Sequence, residues 1–162
     1  MEQFYKLKNK TDLVDKLKRF IANPTVTWYS KNAFEVAVVP RFIIESDKVI
    51  CALIDEFKAQ PAILKMNPMV FYRFHVDEFR NAALNLLVDG WDSETFYGES
   101  TSNEELMQIT QLHYEPNCMY LLNTSIPHCV INKQNQRFVF SLGFNSPLTY
   151  DLVANFCKEQ GL

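Results

Sequence analysis

The segment Met69-Val70-Phe71-Tyr72-Arg73-Phe74-His75-Val76-Asp77 is where the chain changes character. Before it, apolar residues recur mostly at helical spacing. After it, they alternate or run together in short blocks bounded by turn residues, which is the pattern of strands. Met69 to Val76 reads as one strand and Ala82 to Val88 as the next. Leu106 to Tyr114 follows, then a turn at Glu115-Pro116-Asn117, then Cys118 to Leu122. Cys129 to Asn132 and Arg137 to Phe144 complete the series and read as a hairpin across Lys133 to Gln136. Many short strands with turns between them predict a sandwich or barrel. The expectation is a mainly β fold of the jelly-roll type with flanking α-helices.

The helices lie on either side of that region. Thr11 is placed to cap a helix in which Leu13, Val14, Leu17, Phe20 and Ile21 share one face, ended by Pro24. Lys16, Lys18 and Arg19 cover the other side, which is better read as a solvated face than as a docking site. Val26 to Ser30 and Phe34 to Val39 look like two short strands joined at Lys31-Asn32. Asp47 to Ala59 reads as a second helix, closed by Pro61. Residues 11–60 are thus expected to form a largely helical layer against the outside of a sheet. The β core is expected over about 69–144. Ser146-Pro147 is a good helix start, and a C-terminal helix is predicted over about 147–159. The polar stretch 89–105 reads as a long loop, a lid or binding element in which Trp91, Phe96 and Tyr97 are available to close over a ligand.

Composition narrows the classes. The 162 residues suggest a single domain, and a hydrophobic content of 48% is enough for a substantial core. Thirteen Phe and seven Tyr against four Gly lean toward β structure. A net charge of -3 argues against non-specific nucleic-acid binding, which needs a surplus of Lys and Arg. Cys51, Cys118, Cys129 and Cys157 form no C-x-x-C pair, and buried free thiols are the expected reading. That usage fits a reducing cytoplasm. The first ten residues lack the apolar core of a signal peptide, and no run approaches the roughly 18 apolar residues of a membrane span.

His75 and Asp77 stand two apart on a predicted strand, so their side chains share a face. His128 lies on another predicted inward strand. Two imidazoles and a carboxylate on one side of a cation, with positions left open, are a ligand set for a divalent metal such as Fe(II). If the predicted hairpin turns on Gln134-Asn135, Asn132 faces Arg137, Val130 faces Val139 and His128 faces Ser141. His128 and Arg137 then look into one cavity, with backbones about 13 Å apart at about 3.3 Å per residue. A three-residue turn would put them on opposite faces. Arg137 between the apolar neighbours Phe138 and Val139 needs a partner, and a guanidinium suits a carboxylate gripped by two parallel hydrogen bonds. Asn85 is a candidate to touch the same ligand, with a satisfied polar core group as its plainer fate. His113, with Glu115 two residues on, has ligand-like spacing too, but it reads better as a strand-end residue.

Phe74-His75-Val76-Asp77, the run Asn123-Thr124-Ser125-Ile126-Pro127-His128-Cys129-Val130-Ile131-Asn132 and Arg137-Phe138-Val139-Phe140-Ser141 together resemble the Fe(II)/2-oxoglutarate-dependent oxygenases. The nearest likeness is to the aspartyl/asparaginyl β-hydroxylase-like branch, with its small bacterial and phage members. The resemblance implies a double-stranded β-helix, a cupin-like jelly roll. It implies that His75, Asp77 and His128 bind Fe(II) as the catalytic centre and that Arg137 binds the far carboxylate of 2-oxoglutarate. It also implies an O2-dependent hydroxylase that turns 2-oxoglutarate into succinate while oxidising a small-molecule or peptide substrate, with no membrane partner. Two alternatives stand beside it: a cupin-like metal enzyme of another reaction type, and a non-catalytic jelly-roll binding or structural protein.

Overall fold

The computed structural model describes residues 2–100 and 106–162. Its elements run β1 (Phe4–Lys10), α1 (Val14–Ala22), β2 (Tyr29–Lys31), β3 (Phe34–Val38), α2 (Arg41–Ile44), α3 (Lys48–Phe57), β4 (Gln60–Met66), β5 (Phe71–His75) and β6 (Arg80–Asp89). There follow β7 (Glu94–Ser100), β8 (Leu106–Leu112), β9 (Cys118–Asn123), β10 (His128–Ile131), β11 (Arg137–Asn145) and α4 (Tyr150–Glu159). The strands form two antiparallel sheets. The major sheet has the order β1-β9-β6-β11-β4-β3-β2, and the minor sheet β5-β10-β7-β8. This is the jelly roll expected from the strand pattern.

Alternation along the central strands divides the interior in two. Leu84, Leu86 and Val88 of β6, Met119 and Leu121 of β9, and Phe140, Leu142 and Phe144 of β11 point toward the helices. There they meet Leu17 of α1, Ile44 of α2, Ile50 and Leu53 of α3, and Val153 and Cys157 of α4 in one fully buried core. The helices are held where their caps place them. Asp47 accepts from the Ile50 amide at 3.0 Å and starts α3. Thr11, expected to cap α1, instead donates to Asp47 at 2.5 Å and receives the Leu13 amide at 3.2 Å, so it ties the two helix starts together. The cap of α4 is Thr149, which accepts from the Leu152 amide at 3.3 Å, and the helix begins after the Ser146-Pro147 pair expected to start it.

The other face of the same strands looks at the minor sheet across a smaller core of Tyr97, Leu112, Cys118, Tyr120 and Leu122. Four expectations are corrected here. Pro61, expected to close a helix, lies inside β4, and residues 4–10, for which no element was expected, form β1, an edge strand paired with β9. Pro61 pairs only through its carbonyl side and ends no helix; α3 already stops at Lys58, whose φ of 54° reverses the chain. The stretch 89–105 is not one long loop, because residues 94–100 form β7, paired with β10 and β8; residues 101–105 lie outside the described residues. Tyr97 is therefore a fully buried strand residue, not a lid.

The fourth correction bears on the site. β10 and β11 are not a hairpin. β10 pairs with β5 and β7, and β11 with β4 and β6, so residues 132–136 carry the chain from one sheet to the other. Val130 faces Tyr72 and Thr95, and Ser141 faces Ala62 and Asn85. The crossing is fixed by Asn132, whose amide donates to the carbonyls of Met66, Asn67 and Asn135 at 3.2, 2.7 and 2.9 Å. Asp92 supports it from outside, accepting from the amides of Gln134 and Asn135. Short apolar strands buried on both sides read alike whether they pair or stack, which is why the hairpin was the simpler reading.

Candidate metal and organic-acid site

His75 and His128 sit directly opposite each other on β5 and β10, with ring centroids 4.3 Å apart. Asp77 follows β5 by two residues, its amide bonded to the Thr124 carbonyl at 3.0 Å. The side chains of His75, Asp77 and His128 each offer an atom within 4.8 Å of the other two. Among the described residues this is the one cluster of His, Cys, Asp and Glu with that property. His113 is exposed beyond the end of β8 and takes no part in it.

Both imidazoles are oriented for coordination. Nδ1 of His75 lies 2.8 Å from the Arg73 carbonyl, and Nδ1 of His128 lies 2.9 Å from the Ile126 carbonyl. A carbonyl can only accept, so each Nδ1 carries the hydrogen and each Nε2 presents a lone pair to the cluster. Ring packing limits rotation: Tyr72 lies on His75 at 4.1 Å, and Tyr97 stacks on His128 at 5.7 Å and 25°. Burial drives the His128 imidazole down to a pKa of about 4, with the neighbouring His75 acting in the same direction against the Ile126 hydrogen bond. The ring is therefore neutral at physiological pH, as a metal ligand must be. Burial alone would raise the Asp77 carboxyl. A hydrogen bond from His75 whenever its Nε2 is protonated, and the charge and hydrogen bonds of Arg80 throughout, outweigh it and hold the group well below the ordinary carboxylate range.

Arg137 enters the same inter-sheet space from the first position of β11. It is 4% exposed, so its charge is removed from water. Nε donates to Ser93 Oγ at 3.1 Å and Nη2 to Thr95 Oγ1 at 3.3 Å, and the guanidinium stands 5.9 Å from the Tyr114 ring. Among the described residues no carboxylate pairs with it. Gly90 makes the placement possible: with φ at +86°, it passes so close that a Cβ there would stand 2.6 Å from the Arg137 Cα. An unpaired buried cation costs several kcal/mol unless an anion joins it.

The surroundings share that incompleteness. Asn85 Oδ1, Ser141 Oγ and the hydroxyls of Tyr97 and Tyr114 are buried without a hydrogen-bond partner among the described residues. Asn85 and Ser141 face each other on β6 and β11. Tyr114 feels Arg137, Asn85 and Thr95 at close quarters, yet its hydroxyl makes no well-formed bond with them. Buried polar groups are ordinarily paired, so a cluster that is not marks a place where a polar ligand belongs. The donors fit an organic acid at Arg137, and the triad fits a divalent metal.

Of the five residues expected at the site, His75, His128, Asn85 and Arg137 lie on the two sheets, and Asp77 lies just beyond the end of β5. Ser93, Thr95 and Tyr114 were not expected here; Tyr97 was expected as a lid residue, and Ser141 only as the partner of His128. The signal for three of them was the alternation Ser93-x-Thr95-x-Tyr97, hidden while that segment was read as a loop. A surface depression of about 700 Å³ lies elsewhere, beside α1 and the β2–β3 hairpin, lined by Lys16, Phe20, Tyr29, Val38 and Phe42 among others.

No protein-family model matches the sequence, and no curated protein matches it either. Solved structures do match in shape. A prolyl-4-hydroxylase from Pseudomonas putida superposes with a TM-score of 0.60 at 14% identity, over 90% of this chain and 93% of its own. An oxidoreductase of the 2OG-Fe(II) oxygenase family from Burkholderia pseudomallei gives 0.61 at 11%, over 88% and 84%. HygX from Streptomyces hygroscopicus, solved with nickel, 2-oxoglutarate and hygromycin B bound, gives 0.60 at 8%, over 91% and 84%. Identities this low speak to architecture alone: the chain has the jelly-roll fold on which these oxygenases are built.

Proposed function

We propose that the protein is an Fe(II)- and 2-oxoglutarate-dependent oxygenase, with His75, Asp77 and His128 as the metal ligands and Arg137 as the anchor for the far carboxylate of the cosubstrate. The observation that carries this reading is a pairing. A His-Asp-His cluster with its lone pairs converging and a buried guanidinium that meets no carboxylate among the described residues both face the space between the sheets. A metal alone would account for the first, and an anionic ligand would account for the second.

In this reading each group has a defined task. The Arg73 and Ile126 carbonyls keep the Nε2 lone pairs of the two imidazoles aimed at the cation. Arg137, steadied by Ser93 and Thr95, binds the organic acid at its remote end. Asn85 and Ser141, with Tyr97 and Tyr114, complete its hydrogen bonds and exclude water from the space between the sheets. Bound Fe(II) and 2-oxoglutarate would supply the redox chemistry: O2 is reduced, the oxo acid loses CO2 to become succinate, and a C–H bond of a small-molecule or peptide substrate is hydroxylated. The motif Asn123 to Asn132 with Arg137 is the reason for placing the chain near the aspartyl/asparaginyl β-hydroxylase-like branch.

The test separates the two halves of the site. Arg137→Met should weaken 2-oxoglutarate binding by about a hundredfold, the scale of a lost charge-assisted pair, and leave metal binding intact. His75→Ala should lose the metal. Calorimetric titration with Mn(II), then with 2-oxoglutarate, measures both, and succinate formation coupled to O2 uptake measures turnover. Cosubstrate affinity that ignores residue 137 would sink the assignment.

A further inference from the structure

We propose that Arg80 is a positioning residue that holds Asp77 to the metal through one oxygen only, with Gly143 as the floor on which its side chain lies. This rests on the reading of His75, Asp77 and His128 as metal ligands. Arg80 places two donors on the same atom. Its Nε donates to Asp77 Oδ2 at 2.8 Å and its Nη2 to that same oxygen at 2.7 Å. The other oxygen, Oδ1, is turned toward the cluster, 3.5 Å from His75 Nε2. A carboxylate can bind a cation through one oxygen or both. Here Oδ2 can join the metal only by surrendering two charge-assisted hydrogen bonds, so Oδ1 binds alone.

The Arg80 side chain and the backbone that carries it are each held in place. A Cβ at Gly143 would stand 3.0 Å from Arg80 Cδ, so the side chain lies directly on the bare backbone of β11. On the other side, Thr124 ties down both residues: its hydroxyl donates to the Arg80 carbonyl at 2.6 Å, and its carbonyl accepts from the Asp77 amide at 3.0 Å. Asn123 rigidifies that turn, accepting from the Ser125 amide and hydroxyl. The Asn123-Thr124-Ser125 run thereby gains a physical role that spacing alone does not reveal. A lysine at position 80 would not serve, because one ammonium lacks the planar fork that sets two donors side by side.

The consequence is the number of open positions on the metal. An octahedral Mn(II) held by three protein atoms keeps about three waters, and a carboxylate bound through both oxygens would displace one of them. Mn(II) alone, added to the metal-free protein, tests this. Bound metal is counted by electron paramagnetic resonance and its water ligands by proton relaxation. Wild type should bind Mn(II) with about three waters. Arg80→Met should bind it at least about tenfold more weakly, the usual penalty for losing a partner of a metal ligand, and with one water fewer. Gly143→Ala, which displaces the Arg80 stem, should move both readouts in the same direction and less far. Arg80→Lys repeats the test should Arg80→Met fail to fold. A loss of general stability would not change the hydration of the metal. A folded Arg80 variant with wild-type affinity and hydration overturns this inference alone. Wild-type protein that takes up no Mn(II), or takes it up equally after His75→Ala, overturns the reading of the site and this inference with it.

Discussion

Toward the helices, β6 and β11 present Leu84, Leu86, Val88, Phe140, Leu142 and Phe144; toward the minor sheet the same two strands present Asn85, Arg137 and Ser141. The two faces are one residue apart in sequence and opposite in construction. The helix face is dry and fully buried. The inner face carries, beside apolar residues such as Leu87 and Val139, a buried charge and polar atoms without partners among the described residues. The difference teaches a division of labour: alternate residues of one strand stabilise the fold and prepare a site, and mutations on the two faces should separate cleanly. Phe140→Ala opens a hole in a core that cannot collapse around it, at a cost of about 3–5 kcal/mol. The neighbouring Ser141→Ala removes an oxygen that has no partner and should cost little. Urea unfolding of the two variants measures the contrast, and comparable losses would break it.

Acid should find the inner face first. His128 titrates near 4 in the folded chain because of its burial, against about 6.5 when unfolded. Its folded pKa is depressed, so below 6.5 the unfolded state binds a proton that the folded state refuses. The stability it confers is complete above pH 6.5 and is lost as pH falls from 6.5 to about 4, after which this group adds no further loss. The whole decline is on the order of 3 kcal/mol for metal-free protein. Asp77 and the exposed Glu115, also depressed, begin to act below about pH 5, so between pH 6.5 and 5 neither adds to the decline from His128. Urea midpoints of wild type and His128→Gln across pH 7 to 4 give the comparison. The decline should shrink in the variant, and an equal decline would mean that the site is not the acid-sensitive region.

How much of this was legible beforehand follows from what each feature depends on. The triad could be read because the identity of a ligand is written in single residues, and His75-Val76-Asp77 keeps its spacing whatever the strand does beyond it. Asp77 lies outside β5, so the parity argument brought His75 and Asp77 together through a strand that stops two residues earlier. Arg137 could be read as a charge in an apolar strand. The route to its cavity could not, because a crossover between sheets and a hairpin share the same turn residues, and only the pairing of β11 with β4 and β6 tells them apart. β1 was hidden by composition: an edge strand with most of its residues in solvent carries Lys6, Lys8 and Lys10 and little apolar signal. β7 was hidden by its polar inward residue Thr95, with Ser93 just before it; both bond Arg137 and neither joins the core. The parts least visible in sequence are thus those where function replaces hydrophobic patterning.

Asn85 gives the finest version of the comparison between faces, because Leu84 beside it is its apolar counterpart. Its Oδ1 is buried and unpaired, facing Ser141 on β11 and Tyr120 on β9. A side chain of similar volume without polar atoms relieves the unpaired oxygen, so Asn85→Leu should leave stability within about 1 kcal/mol of wild type, with gain as readily as loss. If the oxygen and amide exist for the organic acid, the same change should reduce 2-oxoglutarate affinity by about tenfold, one hydrogen bond's worth, while Mn(II) binding stays as it was. The reciprocal change, Leu84→Asn, puts an amide into the dry core and should cost more stability than Asn85→Leu gains. Unfolding and titration curves for the pair decide whether the polar groups of the inner face are there for a ligand. A destabilised Asn85→Leu with unaltered cosubstrate binding would show that Asn85 serves the fold, and that the unpaired oxygen has another cause.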